Sequence, residues 1–135
     1  MRLPSHAARR GPWLVLAAFV GLAFAAVAPG QAGASGKRVQ LIMVDDPTCR
    51  YCRMWNEAVG AGYAKSPEGR TAPLKRVRRG ARELAGLEHV VYTPTFIVMQ
   101  GGEEVGRISG YSGPDYFYED LREIFERAGL ETAAP

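Results

Sequence analysis

Apolar positions in this chain change their spacing several times, and each change marks an expected element. Val39–Val44 reads VQLIMV, a short apolar run closed by Asp45-Asp46-Pro47, the pattern of a buried strand. From Cys49 the spacing turns helical: Met54, Trp55, Ala58 and Val59 can share a face before Gly60 and Gly62 weaken the helix. SPEGRTAP, residues 66–73, reads as a loop, and Leu74–Arg78 as a second strand whose charge suits a sheet edge. The next segment, GARELAGLEHV, has room for a short helix from about Ala81 to Leu87. Thr95–Met99 and Glu104–Ser109 flank Gln100-Gly101-Gly102-Glu103, a hairpin signal. Ser112-Gly113-Pro114-Asp115 then opens a last helix, with a polar cap candidate, Pro near its first position and acid in its first turn. Phe117, Leu121, Ile124, Phe125 and Ala128 keep the spacing of one apolar face, and Gly129 is a natural stop.

The order is strand, helix, strand, helix, hairpin, helix. The first three elements can form a βαβ unit, the hairpin adds antiparallel strands, and helices cover the sheet faces, so the class is α/β. A domain over residues 39–130 buries one core with little margin.

What precedes it has a different character. Arg2, Arg9 and Arg10 lead into an apolar run from Trp13 to about Ala28, followed by small residues. Ala32-Gly33-Ala34 and Ala26-Val27-Ala28 both fit the small-x-small pattern of signal peptidase sites. Residues 1–34 are therefore expected to be a signal peptide, 35–38 a linker, and 131–135 a C-terminal tail. The apolar run nearly spans a bilayer, so retention as a membrane anchor is the alternative.

Export changes the charge picture. The full chain has 17 Lys and Arg against 14 Asp and Glu. Three arginines and no acids lie in the first 34 residues, so the remainder has 14 of each. The basic balance belongs to the export segment, and nucleic-acid binding loses its main support. The remaining charge is uneven. Nine basic residues against Glu57 and Glu68 lie between Arg50 and Arg82, and eight acids against three arginines between Glu103 and Glu131. These are either solvated faces or, near the cysteines, a basic rim that steers acidic partners.

Cys49 and Cys52 are the only cysteines, spaced CxxC. As a staple their bridge would close too short a loop to constrain the unfolded chain much. A zinc site lacks a second pair of ligands, because His89 is the only histidine after the export segment. A c-type haem needs His at position 53, which is Arg. No metal and no separate cofactor are expected. A redox pair fits better. Cys49 at a helix N-terminus has free N–H groups and the positive end of the dipole to stabilise its thiolate, and Arg50 and Arg53 add positive charge. Cys52, a turn further in, can attack a mixed disulfide formed at Cys49. Asp45 and Asp46 would oppose this if they faced the sulfur. In Tyr92-Thr93-Pro94-Thr95-Phe96, a proline entering a strand makes sense if its bond is cis and faces the cysteines. Thr93 would then offer backbone groups to an extended substrate segment.

CxxC after the first strand, Thr-Pro before the hairpin and Gly110 before a last helix resemble the thioredoxin superfamily. CRYCRMW, SPEGRTAPLKRV, YTPTFIV and EVGRISGYSGPDYFY are similar to SoxS-type periplasmic thioredoxin-like proteins of bacterial sulfur-oxidation clusters. The resemblance implies a thioredoxin-like fold with a mixed four-stranded sheet flanked by helices, working in the periplasm as a monomer. It implies a thiol-disulfide reductase that keeps a dedicated partner cysteine, notably that of a sulfur-carrier protein, reduced. It also implies electrons from a membrane thiol transporter of the CcdA/DsbD type. Carried over, Cys49 is the attacking thiol, Cys52 the resolving thiol, Pro94 the cis-proline, and Thr93, Tyr51 and Arg50 substrate contacts. Trp55 is expected to pack under the motif. The departures are Thr48, where cytosolic thioredoxins have Trp, and Met43, where they have a buried Asp. A DsbC/DsbG-like isomerase or sulfenic-acid reductase is the alternative that Tyr51 and Thr93 favour. A non-catalytic module that only tethers a partner is the alternative of another class.

Overall fold

The computed structural model describes residues 38–134, and the expected signal peptide lies outside them. Strand β1 (Val39–Asp45) leads into helix α1 (Arg50–Trp55), which continues through a π-helical turn, Asn56–Gly60, into α2 (Ala61–Tyr63). Helix α3 (Pro67–Thr71), strand β2 (Leu74–Arg78), the hairpin β3 (Thr95–Gln100) and β4 (Glu103–Ser109), and α4 (Pro114–Arg127) follow. The sheet order is β2-β1-β3-β4, with β1 parallel to β2 and the other two pairs antiparallel. The charged strand β2 is indeed an edge.

The central strands are apolar on both faces, which is why their runs are continuous rather than alternating. Leu41, Met43, Phe96 and Val98 face one way, onto Trp55, Val59, Tyr63, Phe117, Leu121, Ile124 and Phe125. Ile42, Val44, Val77 and Ile97 face the other way, with Val90 on them and Ala81, Leu84 and Leu87 at the margin. The hairpin turns on Gly101 and Gly102, at φ 63° and 93°, the left-handed pair that a tight turn between twisted strands requires.

Four local expectations need correction. SPEGRTAP is not a plain loop. Ser66 caps α3 by accepting from Gly69 N at 3.0 Å, and Pro67 takes the first helical turn. The helix expected over 81–87 shrinks to a single 3₁₀ turn, Arg82–Leu84. Gly80 and Gly86, at φ 79° and 86°, bound it, and so short a segment gains more by laying Leu84 and Leu87 on the sheet than by completing an isolated helix. Of the face expected on α1, Trp55 and Val59 are buried, but Met54 and Ala58 are exposed. The cap of α4 is the backbone of Gly113, with no side-chain bond, rather than a polar side chain.

The far end of α4 follows its sequence closely. Leu130 N donates to Phe125 O at 2.8 Å and Gly129 N to Glu126 O at 3.1 Å, the paired bonds of a glycine-terminated helix, and Leu130 folds back onto the core. The segment beyond it lies against α3: Ala133 N donates to Thr71 Oγ1 at 2.8 Å, and Arg70 Nη2 to Ala134 O at 2.6 Å.

Candidate functional site

Cys49 and Cys52 are joined by a disulfide, with their Cα atoms 5.3 Å apart. Asp46 sets up the approach to it. Its carboxylate accepts from Thr48 N at 2.9 Å and Thr48 Oγ1 at 2.6 Å, and its carbonyl accepts from Cys49 N at 3.1 Å. This local turn leaves Cys49 extended, at φ −70° and ψ 111°, as the N-cap of α1, where its Sγ accepts from Cys52 N at 3.0 Å. Cys52 is 3% exposed, whereas Cys49 is half-buried at the edge of the core.

The acids beside the motif are engaged elsewhere. The Thr48 hydroxyl and N–H, with Arg79 and Arg78 adding charge, hold the Asp46 carboxyl below the usual carboxylate range. Asp45 lies 3.8 Å from both Arg76 and Arg78. Beneath the motif, the strand position that an acid could occupy is Met43, fully buried, with Arg76 Nη1 at 3.3 Å from its sulfur. The Arg76 guanidinium also lies 5.4 Å from the Trp55 ring centroid. Gly60 permits this approach, because a Cβ there would sit 3.2 Å from Trp55 Cζ3 and 3.4 Å from Arg76 Nη2. Trp55 itself packs on Phe96 and Phe117, at centroid distances of 5.2 and 5.5 Å. It supports the motif from below.

The second half of the site comes from the same end of the sheet, at the start of β3, where Thr95 pairs with Val44 of the antiparallel β1. The Thr93–Pro94 peptide bond is cis, and Pro94 O accepts from Gly110 N at 2.7 Å, tying this loop to the end of β4. Thr95 Oγ1 donates to Tyr92 O at 2.7 Å, which closes the loop on itself. Tyr51, Tyr92, Thr93, Gly110, Tyr111 and Ser112 line a cleft of about 510 Å³. Tyr51 and Thr93, far apart in sequence, therefore line one cleft. Tyr51 and Tyr92 are 53% and 66% exposed, so large apolar rings stand open to solvent beside the disulfide. A larger hollow, about 670 Å³, lies under residues 79–90, but among its lining residues there is no redox-active group.

Arg50 is exposed and lies outside the lining of the cleft. His89 is an exposed loop residue. Sequence reasoning missed Arg79, whose Nη2 donates to Thr93 Oγ1 at 3.0 Å. Its signal was only a place in the basic run KRVRRG; that it reaches the cis-proline loop depends on the parallel pairing of β2 with β1. It also missed the contribution of Gly110-Tyr111-Ser112, a polar turn with no chemical signature of its own.

A half-exposed cysteine capping a helix, a buried second cysteine one turn in, and a cis-proline loop across the cleft make a dithiol-disulfide centre. Family comparison agrees: residues 26–125 match the thioredoxin-like domain. The chain belongs to the thioredoxin-like domain family. Among solved structures, this thioredoxin-like chain is similar to the periplasmic thioredoxin SoxS from Paracoccus pantotrophus in its reduced form. The two are 34% identical, with a TM-score of 0.63, over 67% of this chain and 98% of that one. It is also similar to Fasciola hepatica thioredoxin, at 26% identity and TM-score 0.50 over 64% and 81% of the two chains. Malassezia sympodialis thioredoxin, at 18% identity and TM-score 0.52 over 65% and 78%, shares the fold. Comparison with curated protein sequences gives no match.

Proposed function

We propose that this thioredoxin-like protein is an exported thiol-disulfide reductase with a dedicated protein partner. The observation that carries the reading is the pairing of a Cys49–Cys52 disulfide at the start of α1 with the cis Thr93–Pro94 loop, in a chain 34% identical to periplasmic SoxS. In the reduced protein, Cys49 is the accessible thiol and Cys52 the covered one. The Cys49 thiolate attacks a partner disulfide, forming a mixed disulfide and releasing the other partner sulfur as a thiolate. The Cys52 thiolate then attacks Cys49 Sγ, closing the internal disulfide and releasing the second partner thiolate. Two electrons leave the protein, and a thiol donor, such as a membrane transporter of the CcdA/DsbD type, returns them. With Met43 in place of an acid beneath the motif, the Cys52 proton goes to water or to the departing partner thiolate. A sulfur-carrier protein of sulfur oxidation is the partner that the likeness to SoxS suggests, and the periplasm is the compartment. Residues 1–34 are then a cleaved signal, which mass measurement of the mature chain tests.

The exposed Tyr51 beside Thr93 keeps a second reading alive, a disulfide isomerase or sulfenic-acid reductase acting on many exported proteins. Cys52→Ser separates the two, because it strands partners on Cys49. Expressed with its own leader, it should trap one or two proteins, separable on non-reducing gels and identifiable by mass. A broad set of multi-cysteine proteins would instead favour the isomerase. Capture that needs Cys49, with wild-type function surviving Cys52→Ser, would mean tethering rather than turnover.

A further inference from the structure

Arg79 stands between the two loops that flank Cys49. Its backbone N donates to Asp45 O at 3.1 Å, at the end of β1 just before the cysteine loop. Its guanidinium donates to Thr93 Oγ1 at 3.0 Å, one residue before the cis-proline. One of its five N–H groups is thus used to hold it in place, and the rest of the fork is open. Among the described residues, Arg76, Arg78, Arg107, Arg122 and Arg127 each have a carboxylate within 4 Å; Arg79, like Arg38, Arg50, Arg53, Arg70 and Arg82, has none, and of these six it is the one bonded to Thr93. Asp46 feels its charge but spends its hydrogen bonds on Thr48. The result is a fixed, exposed, unpaired guanidinium beside the backbone that an extended partner segment would pair with.

We propose that Arg79 is a specificity residue that binds a carboxylate, so that the partner segment presenting the target cysteine carries an Asp or Glu within a residue or two of it. This rests on the reductase reading and deepens it by naming the chemistry of the partner. Three features of the molecule converge on an acidic, extended segment. Arginine's planar fork matches a carboxylate in two parallel hydrogen bonds. The Thr93 bond fixes that fork before the partner arrives, so little freedom is lost on binding. The segment from Arg50 to Arg82, to which Arg79 belongs, carries nine basic residues against two acids, a balance that favours an acidic partner. The exposed rings of Tyr51 and Tyr92 offer flat apolar contact for the same segment in the cleft that Thr93 lines with them. Arg79 touches no reacting sulfur in this scheme; it selects which cysteine is presented.

The test uses short Gly/Ser peptides holding one cysteine as its mixed disulfide with 2-mercaptoethanol, with Asp, Asn or Lys next to the cysteine. Each is reduced by the dithiol form of the protein at low salt. Each rate is divided by that of the same peptide with dithiothreitol, which removes the peptide's own reactivity. The Asp peptide should exceed the Lys peptide by about fivefold, the size expected when a partly exposed ion pair replaces a like-charge contact. Salt should shrink that ratio. Arg79→Gln, which keeps a donor for Thr93 but not the charge, should bring the ratio to about one, while Arg79→Lys should retain part of it. Because the ratio is taken within each variant, a general loss of rate does not affect it. An Asp:Lys ratio near one in the wild type, or one that survives Arg79→Gln, would overturn the inference and leave Arg79 as a tie between β2 and the cis-proline loop. If no peptide is reduced by the protein while dithiothreitol reduces them all, the reductase reading fails, and the inference with it.

Discussion

Replacing Phe117 by Ala tests whether the aromatic cluster under the redox motif holds the domain together. Phe117 is 2% exposed and lies at ring-centroid distances of 4.8 Å from Phe96, 5.5 Å from Trp55, 5.3 Å from Tyr118 and 6.1 Å from Tyr63. It is the one ring that touches all four others, and it joins α4 to the sheet and to the helix carrying Cys52. Truncation loses about 2 kcal/mol of transfer free energy. A ring-sized void of roughly 80 Å³, at about 24 cal/mol per Å³, loses about 2 kcal/mol more, because four rigid rings cannot close in on it. The expected total is about 4 kcal/mol, within the range measured for Phe to Ala in other cores. A domain of this size has roughly 5–15 kcal/mol to lose, so the variant should fold but with a sharply reduced margin. Urea unfolding followed by far-UV circular dichroism, with the disulfide intact in both proteins, measures the difference directly. The melting temperature should fall by roughly 15–25 °C. A loss below about 1.5 kcal/mol with an unchanged urea slope would mean that the site collapses freely, and that the cluster is not the rigid support described above.

Gly106→Ala would place a Cβ 2.6 Å from Ile124 Cγ2 and 3.0 Å from its Cγ1, so overpacking should cost about 1–3 kcal/mol in the same urea assay, and less than that when it is made in an Ile124→Ala background, which removes both γ carbons. Tyr63→Phe removes the hydroxyl that donates to Ala72 O at 2.9 Å and should cost about 1–2 kcal/mol in a buried setting. Burial, with the charges of Tyr118 and Glu68 adding to it, pushes the Tyr63 phenol far above its usual value. The unfolded chain therefore loses this proton first, and wild-type stability should fall as the pH rises above about 10, less steeply in Tyr63→Phe. Asp46 has the opposite sign. Its carboxyl is held below the ordinary 3.8, chiefly by the Thr48 hydroxyl, so its contribution is present above that value and lost as the pH falls through the lower, folded value. An NMR titration should find the Asp46 midpoint below 3.8, and Thr48→Val should raise it.

Most of this protein's architecture could be read along the chain, because its elements announce themselves locally. Val39–Val44 and Thr95–Met99 are strands because apolar β-formers bounded by turn residues have few other ways to bury both faces. Gly101-Gly102 and Gly129 mark the hairpin and the end of α4 through backbone conformations that glycine adopts without cost. The CxxC spacing, with Thr93-Pro94 downstream, named a redox pair and its facing loop. Local readings failed where a segment's fate hangs on what lies beside it. GARELAGLEHV has helical composition, but it is spent covering Ile42, Val44 and Ile97 from a loop. SPEGRTAP has loop composition, but Ser66 and Pro67 turn it into a helix that carries a buried Glu68 facing Arg122 at 3.3 Å. Met54 reads as a core residue along the chain but is 40% exposed, because the buried face runs through Cys52, Trp55, Val59 and Tyr63 and leaves Met54 beside it.

The sequence by itself pointed to the atoms that do chemistry, since only two thiol-bearing residues, Cys49 and Cys52, are present and their separation is one helical turn. Tertiary structure alone decided their surroundings. The β2-β1-β3 order carries Arg79 across to Thr93, and the close of β4 brings Gly110-Tyr111-Ser112 to Tyr51. The same packing turns Asp45 towards Arg76 and Arg78. These contacts join residues from 14 to about 60 positions apart, and such pairings follow from strand order and register, which no local pattern of residues encodes.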